Sequence, residues 1–385
     1  MSWSDPSTIV DMVRTLEERG LFDVVVIGDQ LAIASKLGNS TDVYVKYGLD
    51  GLMFDPMPLA GAIMAATSKI GVVATLNTSL WPPQVLSRAM HTLKQLSQGR
   101  TGLNIVTGVT ERAKDNFDLA IRGHDASYDF AEAYLTECRN IWRDFEAADH
   151  VAVPGVPAGP VIMQAGSSDR GKDFAAANAS IVLTHQNTVQ SMKAFYDDIK
   201  ARVRKFGRNE DDCKVFFTTK PIVGLTDEDA EQERRLLASS PEISSEIGLA
   251  RFSQRIGVDL SGADLDKPLE GDVPGQTRQS TTGRSLSMYQ QYYGDDKTRR
   301  PPLREVALQE AMKETTGVQG SPETVASRMI ELMTEVGGDG FAIRGGLSPR
   351  KVSTFVDKVI PELQRRNAVR SAYTGTTLRD HLAQF

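Results

Sequence analysis

Strand and helix signals alternate along this 385-residue chain, and the alternation predicts an α/β fold with one parallel sheet inside a layer of helices. Three observations carry that prediction. Short runs rich in β-branched and aromatic residues begin near positions 22, 70, 101, 160, 179, 214 and 340. Segments between them repeat apolar residues at helical spacing, with Ser, Asp or Pro at their starts. The length suits one α/β barrel as well as two ordinary domains, and no repeat or low-complexity tract divides it. The chain therefore reads as a single domain over residues 1–385.

Each element follows from local chemistry. Asp5-Pro6 suits an N-cap and first turn, and Ile9, Val13 and Leu16 recur along the helix behind it. "FDVVVIGD" (22–29) is the first strand and ends in Asp29. A small-residue helix over 56–69 leads to "IGVVATLN" (70–77). "PPQVLSRAMHTLKQLSQG" (82–99) opens with prolines where a helix begins and closes with glycine where one ends. "TGLNIV" is the third strand, with Asn104 in its middle. Asparagine is depleted in strands, and a buried amide without partners costs about 1–3 kcal/mol. In "SYDFAEAYLTECRNIWRDFE" (127–146), Cys138 falls in helical register with Phe130, Tyr134, Ile141 and Phe145, which makes it a core thiol.

"PVIMQAG" (160–166), a helix from Asp169, "ASIVLT" (179–184) and a helix over 187–206 continue the pattern. "KVFFTTKPIVG" (214–224) is the sixth strand and precedes a helix from Asp227. A capped helix (321–337), the strand "GFAIRG" (340–345) and a helix over 349–366 finish it, with 349–385 forming a C-terminal helix and tail. Residues 239–316 interrupt the rhythm; they are polar and Gly/Pro-rich, and such an insertion reads as a functional lid or a flexible segment. Seven strands are one short of a closed (β/α)8 barrel, and the eighth would precede Ser4.

Composition excludes several function classes. A net charge of −6 argues against nucleic-acid binding. No apolar run approaches the roughly 20 residues of a membrane span, and the first residues lack the basic and apolar parts of a secretory signal. The two cysteines, Cys138 and Cys213, have no metal-ligand spacing and suit a reducing cytoplasm. The histidines are scattered, no G-x-S-x-G or P-loop occurs, and "GGDGFAIRGG" precedes a strand instead of opening a helix.

In an α/β barrel the active site lies at the carboxyl ends of the strands. Asp29, Thr75, Asn77, Asn104, Thr107, Ser167, Ser168 and His185 all collect there. In "QAGSSDRGKDFAA" the strand ends in Gly166, and Ser167, Ser168 and Asp169 open a helix whose free N–H groups favour a phosphate. Plain N-capping explains those serines equally well.

The run "IGVVATLNTSLWPPQVLSRAMHTLKQLSQGRTGLNIVTGVTERAKDNFDL" resembles the signature of the bacterial-luciferase-like flavin monooxygenases. It is similar more narrowly to the branch holding nitrilotriacetate monooxygenase, pristinamycin synthase and dibenzothiophene-sulfone monooxygenase. Ser87-Arg88, Gly99-Arg100, Leu103-Asn104, Val106-Thr107 and Asn116-Phe117 carry the match, with "GSPETVASRMIE" and the tail "TLRDHL" later on. Lys94 stands where an aspartate is usual and reads as lying on an exposed helix face.

The resemblance implies a (β/α)8 TIM barrel with a strand before Trp3, reduced FMN and O2 as co-reactants, and a separate NAD(P)H:flavin reductase that supplies the FMNH2. It implies a small organic substrate oxidised or cleaved at a C–N, C–S or C–C bond, and a homo-oligomer. It sets Asp29, Thr75 and Asn104 around the isoalloxazine, with Thr75 and Asn104 as the catalytic pair. It implies that Tyr128, Ser167 and Ser168 hold the phosphate beside Gly166. Two other readings stay open: a deazaflavin-dependent oxidoreductase on the same fold, or an inactive flavin-binding paralogue.

Overall fold

The computed structural model of the chain describes residues 5–49, 54–108, 111–120, 122–148, 153, 155–186, 188–238, 241–269, 292–293, 300–312, 317–344 and 348–384. Nine strands lie among them: β1 (Val24–Ile27), β2 (Gly71–Asn77), β3 (Thr101–Val106), β4 (Val161–Gln164), β5 (Ile181–Thr184), β6 (Lys214–Thr219), β7 (Ile222–Val223), β8 (Gln319–Gly320) and β9 (Gly340–Ile343). Seven form one sheet in the order β1-β2-β3-β4-β5-β6-β9, every pair parallel. All seven expected strands are present, and their carboxyl ends share one rim. A strand before Trp3 lies outside the described residues.

The sheet is curled. Strands stand about 4.8 Å apart, so β1 and β6 would be roughly 24 Å apart in a flat sheet. Yet Val24 and Val26 of β1 and Phe216 of β6 pack on one cluster with Val73, Met163, Ile181, Leu378 and Leu382. That cluster is the barrel interior. The alternate residues, among them Val72, Leu103, Ile162, Val182 and Val215, face outward into the main core with the helices.

Ten α-helices lie among the described residues up to 256: α1 (Pro6–Glu18), α2 (Asp42–Tyr47), α3 (Pro56–Ala66), α4 (Pro83–Ser97), α5 (Glu111–Phe117), α6 (His124–Ala148), α7 (Asp169–Asn178), α8 (Val189–Lys205), α9 (Asp227–Ala238) and α10 (Pro241–Ile256). The Asp5 carboxylate accepts from Ser7 N and caps α1, as its sequence indicates. Cys138 is fully buried in α6.

Four expectations change. The α4 cap is Gln98, in the left-handed region at φ 53°, with Gly99 (φ 89°) following it. The stretch 214–224 is two strands, because Pro221 has no N–H for the ladder; β7 pairs with β8 and not with the main sheet. The last long helix contains a π-turn over Phe355–Val359 just before Pro361, whose ring cannot donate back along the helix. Lys94 is not exposed. Only 1% of its side chain reaches solvent, and its ammonium pairs with Glu146 and donates to Pro157 O at 3.0 Å. It fastens α4 to α6 and to the loop leading into β4.

The described parts of the insertion are mostly helical, which its polar, Gly/Pro-rich composition does not suggest. Its described parts include α10 and the helix Leu303–Met312, which cross so closely that a β-carbon on Gly248 would stand 1.7 Å from Ala307 O. Phe252, Ile256, Leu260, Tyr293, Leu303 and Val306 make a small core of their own. Tyr44 Oη donates to Ala250 O (3.0 Å) and Gly38 N to the Asp259 carboxylate (2.8 Å). The insertion is thereby tied to the chain that follows β1. Residues 239–240, 270–291, 294–299 and 313–316 of the insertion lie outside the described residues.

Candidate active site

Thr75 and Asn104 are register partners on the adjacent strands β2 and β3. Both point into the barrel, because they alternate with the outward-facing Ala74, Leu76, Leu103 and Ile105. Asn104 Nδ2 donates to Thr75 Oγ1 at 3.1 Å, and both residues are buried. Asn104 Oδ1, also buried, has no hydrogen-bond partner among the described residues. Turning the amide over only exchanges which end is unpaired. An unpaired amide end inside a barrel costs about 1–3 kcal/mol, so its retention points to a group that binds there.

Asp29 follows β1 and lines a cavity of about 140 Å³ with Gln30, Leu31, Thr75, Asn77 and Val106. Burial raises the Asp29 carboxyl above its ordinary range, with the Asp55 charge adding to the effect against a hydrogen bond from Gln30 N. Thus Asp29 and Thr75 share one cavity, and Asn104 adjoins it through Thr75. Asn77 is committed elsewhere: its Nδ2 donates to Gly108 O (2.6 Å) and its Oδ1 accepts from Ser79 N (2.8 Å). It shapes the loop behind β2.

The second set lies between β4 and α7. Ser168 Oγ accepts from Gly171 N at 3.1 Å, so Ser168 is the N-cap of α7. Capping leaves its proton free to donate. A β-carbon on Gly166 would stand 2.8 Å from Tyr128 Oη, and one on Gly171 would stand 2.6 Å from it. The two glycines therefore make a cradle at the start of α7 that the tyrosine hydroxyl enters. Ser167 and Ser168 line a pocket of about 480 Å³ with Lys172, Gln186, Ser191 and Asp198.

The charges nearby are balanced. Lys172 pairs with Asp198 (2.8 Å), and Arg202 with Asp169 (2.7 Å) and Asp173 (2.8 Å). Arg170 pairs with Asp129 (2.8 Å). An anion in the cradle would be held mainly by hydroxyls, backbone N–H groups and the α7 dipole.

Sequence reasoning missed two buried polar residues, Gln164 on the outer face of β4 and Thr218 on the inner face of β6. Gln164, the last residue of β4, is buried and its Oε1 accepts from Gly166 N, so it braces the cradle turn. A glutamine in "VIMQ" was the same kind of signal as Asn104. Thr218 of β6, also buried, meets His185 Nδ1 at 2.9 Å across the rim; no local pattern announces that pairing.

The sequence profile of luciferase-like monooxygenases matches residues 2–340. The chain belongs to the luciferase-like monooxygenase family. Within it, a component of pristinamycin IIA synthase from Streptomyces pristinaespiralis is 34% identical, covering 99% of this chain and 92% of its own. Dibenzothiophene-sulfone monooxygenase of Rhodococcus erythropolis is 30% identical, covering 96% of this chain and 88% of its own. The structure of a riboflavin lyase with modified FMN and riboflavin superposes with TM-score 0.81 at 25% identity, over 99% of this chain and 89% of that one. Luciferase-like monooxygenases use reduced flavin, and membership makes this chain a flavin-dependent monooxygenase with the family's TIM-barrel fold. A flavin fits what is present: the glycine cradle suits a phosphate, and the unpaired amide end of Asn104 suits a polar group at the barrel centre. No helix among the described residues is long and apolar enough to cross a membrane.

Proposed function

We propose that this protein is the oxygenase of a two-component system, receiving FMNH2 from a separate NAD(P)H:flavin reductase and oxidising or cleaving a small organic molecule at a C–N, C–S or C–C bond. The observation that carries the reading is the Asn104–Thr75 pair with its unpaired amide oxygen in the barrel interior. Bound FMNH2 supplies two electrons, so that FMNH2, O2 and substrate give FMN, water and the oxygenated product.

The chain's own residues bind, orient and shield. Tyr128, Ser167, Ser168 and the first N–H groups of α7 hold the phosphate in the cradle beside Gly166. Asp29 and Thr75 border the ring from the cavity they share. The Thr75 hydroxyl and the second Nδ2–H of Asn104 hold dioxygen by donating to it from uncharged groups, which deliver no proton at neutral pH. The described helices of the insertion, tied to the chain that follows β1, help exclude water from the site, which strengthens those hydrogen bonds.

The test combines the purified chain with FMN, an unrelated flavin reductase and NADH. Oxygen uptake with conversion of an aminopolycarboxylate, a sulfone or a heterocycle is the expected result. Failure to bind either oxidised or reduced FMN contradicts the proposal, as does tight binding without oxygenation of any of these substrate classes.

A further inference from the structure

Leu378, fully buried, comes from the far end of the chain and sits inside the barrel beneath the Thr75–Asn104 pair. On β3 the interior residue two before Asn104 is Gly102; on β2 those before Thr75 are Val73 and Gly71. A β-carbon on Gly71 would stand 2.5 Å from Leu378 Cδ1, and one on Gly102 would stand 3.3 Å from Leu378 Cδ2 and 2.6 Å from Val73 Cγ2. Glycine inside a strand often marks a site where another group approaches closely. Here that group is Leu378, about one two-residue step of roughly 6.6 Å below Asn104.

The tail is fastened along the amino ends of three strands. Tyr373 Oη donates to Phe22 O (2.6 Å), and Arg370 pairs with Asp23, both before β1. His381 Nε2 meets Lys69 O at 2.8 Å before β2, and Leu378 N donates to Gly99 O at 3.3 Å before β3. Thr377 Oγ1 accepts from Asp380 N (3.1 Å) and caps the short helix Leu378–Leu382. Leu382 joins Leu378 in the interior cluster.

We infer that this tail is the floor of the oxygen site, with Leu378 as a positioning residue that seals the barrel against water and sets β2 and β3 beneath Thr75 and Asn104. The inference rests on the role proposed above for those two residues. A gap at Leu378 opens the interior from below, and water that enters finds an acceptor in the unpaired Asn104 Oδ1. Oxygen insertion then gives way to the unproductive reaction in which FMNH2 and O2 become FMN and free H2O2, with no bond formed to substrate.

Leu378→Ala and the volume-conserving Leu378→Met, made in the full chain, test this. Without flavin, amide exchange in β2 and β3 is expected to quicken by about thirtyfold or more in the alanine variant, the lower end of what deleting a buried leucine does. With reductase, FMN and substrate, the share of O2 released as H2O2 rises at least about threefold while KM stays within about twofold, and methionine restores both. A merely destabilised fold lowers all turnover together and leaves the peroxide share unchanged. If Leu378→Ala does not fold, Leu378→Val gives the same two readouts. Faster exchange confined to residues 369–384, or an unchanged peroxide share, overturns the inference. Failure of the flavin reading shows itself separately, as a wild-type chain that makes no product, and the exchange comparison still decides the floor.

Discussion

Replacing Ser167 and Ser168 by alanine separates recognition of the phosphate from recognition of the ring. The two hydroxyls differ in what else they do. Ser168 Oγ accepts from Gly171 N at 3.1 Å, so Ser168→Ala also removes the α7 cap, at about 0.5–2 kcal/mol of stability. Ser167 is not the cap, and its variant loses only a donor. A hydrogen bond to a charged group contributes about 1.5–3 kcal/mol, which converts to roughly 10- to 150-fold in Kd for each hydroxyl. For the double variant FMN affinity is expected to fall about 100-fold or more, while riboflavin, which has no phosphate, changes by less than about threefold. Flavin-fluorescence titrations with both ligands read the split, and urea unfolding of each single variant isolates the cap. Equal losses for FMN and riboflavin would refute the placement of the phosphate.

Two further predictions concern the frame. Lys94→Ala removes the cation from a pair with Glu146 and leaves Pro157 O without its donor. Because Glu146 keeps a quarter of its exposure, the loss should be about 2–3 kcal/mol, below that for a fully buried pair; a urea midpoint unchanged from wild type would contradict this. Glu17 accepts from Lys69 N (2.7 Å), Ile70 N (2.8 Å) and Ser68 N (2.9 Å). Burial raises its carboxyl, but these hydrogen bonds together outweigh burial and hold it below its ordinary 4.5. A carboxyl depressed in the fold contributes stability above its unfolded pKa and loses it as pH falls through the folded value. Glu17→Gln should therefore be less stable by about 1–3 kcal/mol at pH 7, with the gap to wild type closing below pH 4.5. A gap as wide in acid as at neutrality would count against it.

The strands were legible because each is a short β-branched run between helical segments, and register follows once neighbours are parallel. The misreadings have local causes. Lys94 looked exposed because a lysine on an amphipathic helix normally is; Glu146, its partner, lies on another helix and no spacing links the two. The Gly248–Ala307 crossing was not legible because it joins helices far apart in sequence, and a glycine there reads as a breaker. Asn104 was legible as a misfit in its strand, whereas the unpaired Oδ1 and the Thr75 bond needed the fold. Gln164, a polar residue closing the apolar run "VIMQ", carries the same signal. The tail's place in the barrel was hidden too, since Leu378 contacts Gly71 and Gly102 from the opposite end of the chain.

Asn104→Ala is the measurement that bears most directly on the central claim. Truncating an ordinary core side chain costs about 2–5 kcal/mol, but this one removes an unpaired buried oxygen and a single hydrogen bond. Stability is therefore expected to stay within about 1 kcal/mol of wild type, and FMN binding within about threefold. Product formed per FMNH2 oxidised should fall at least about 100-fold, with H2O2 in its place. An Asn104→Ala protein that oxygenates substrate at the wild-type yield would contradict the account.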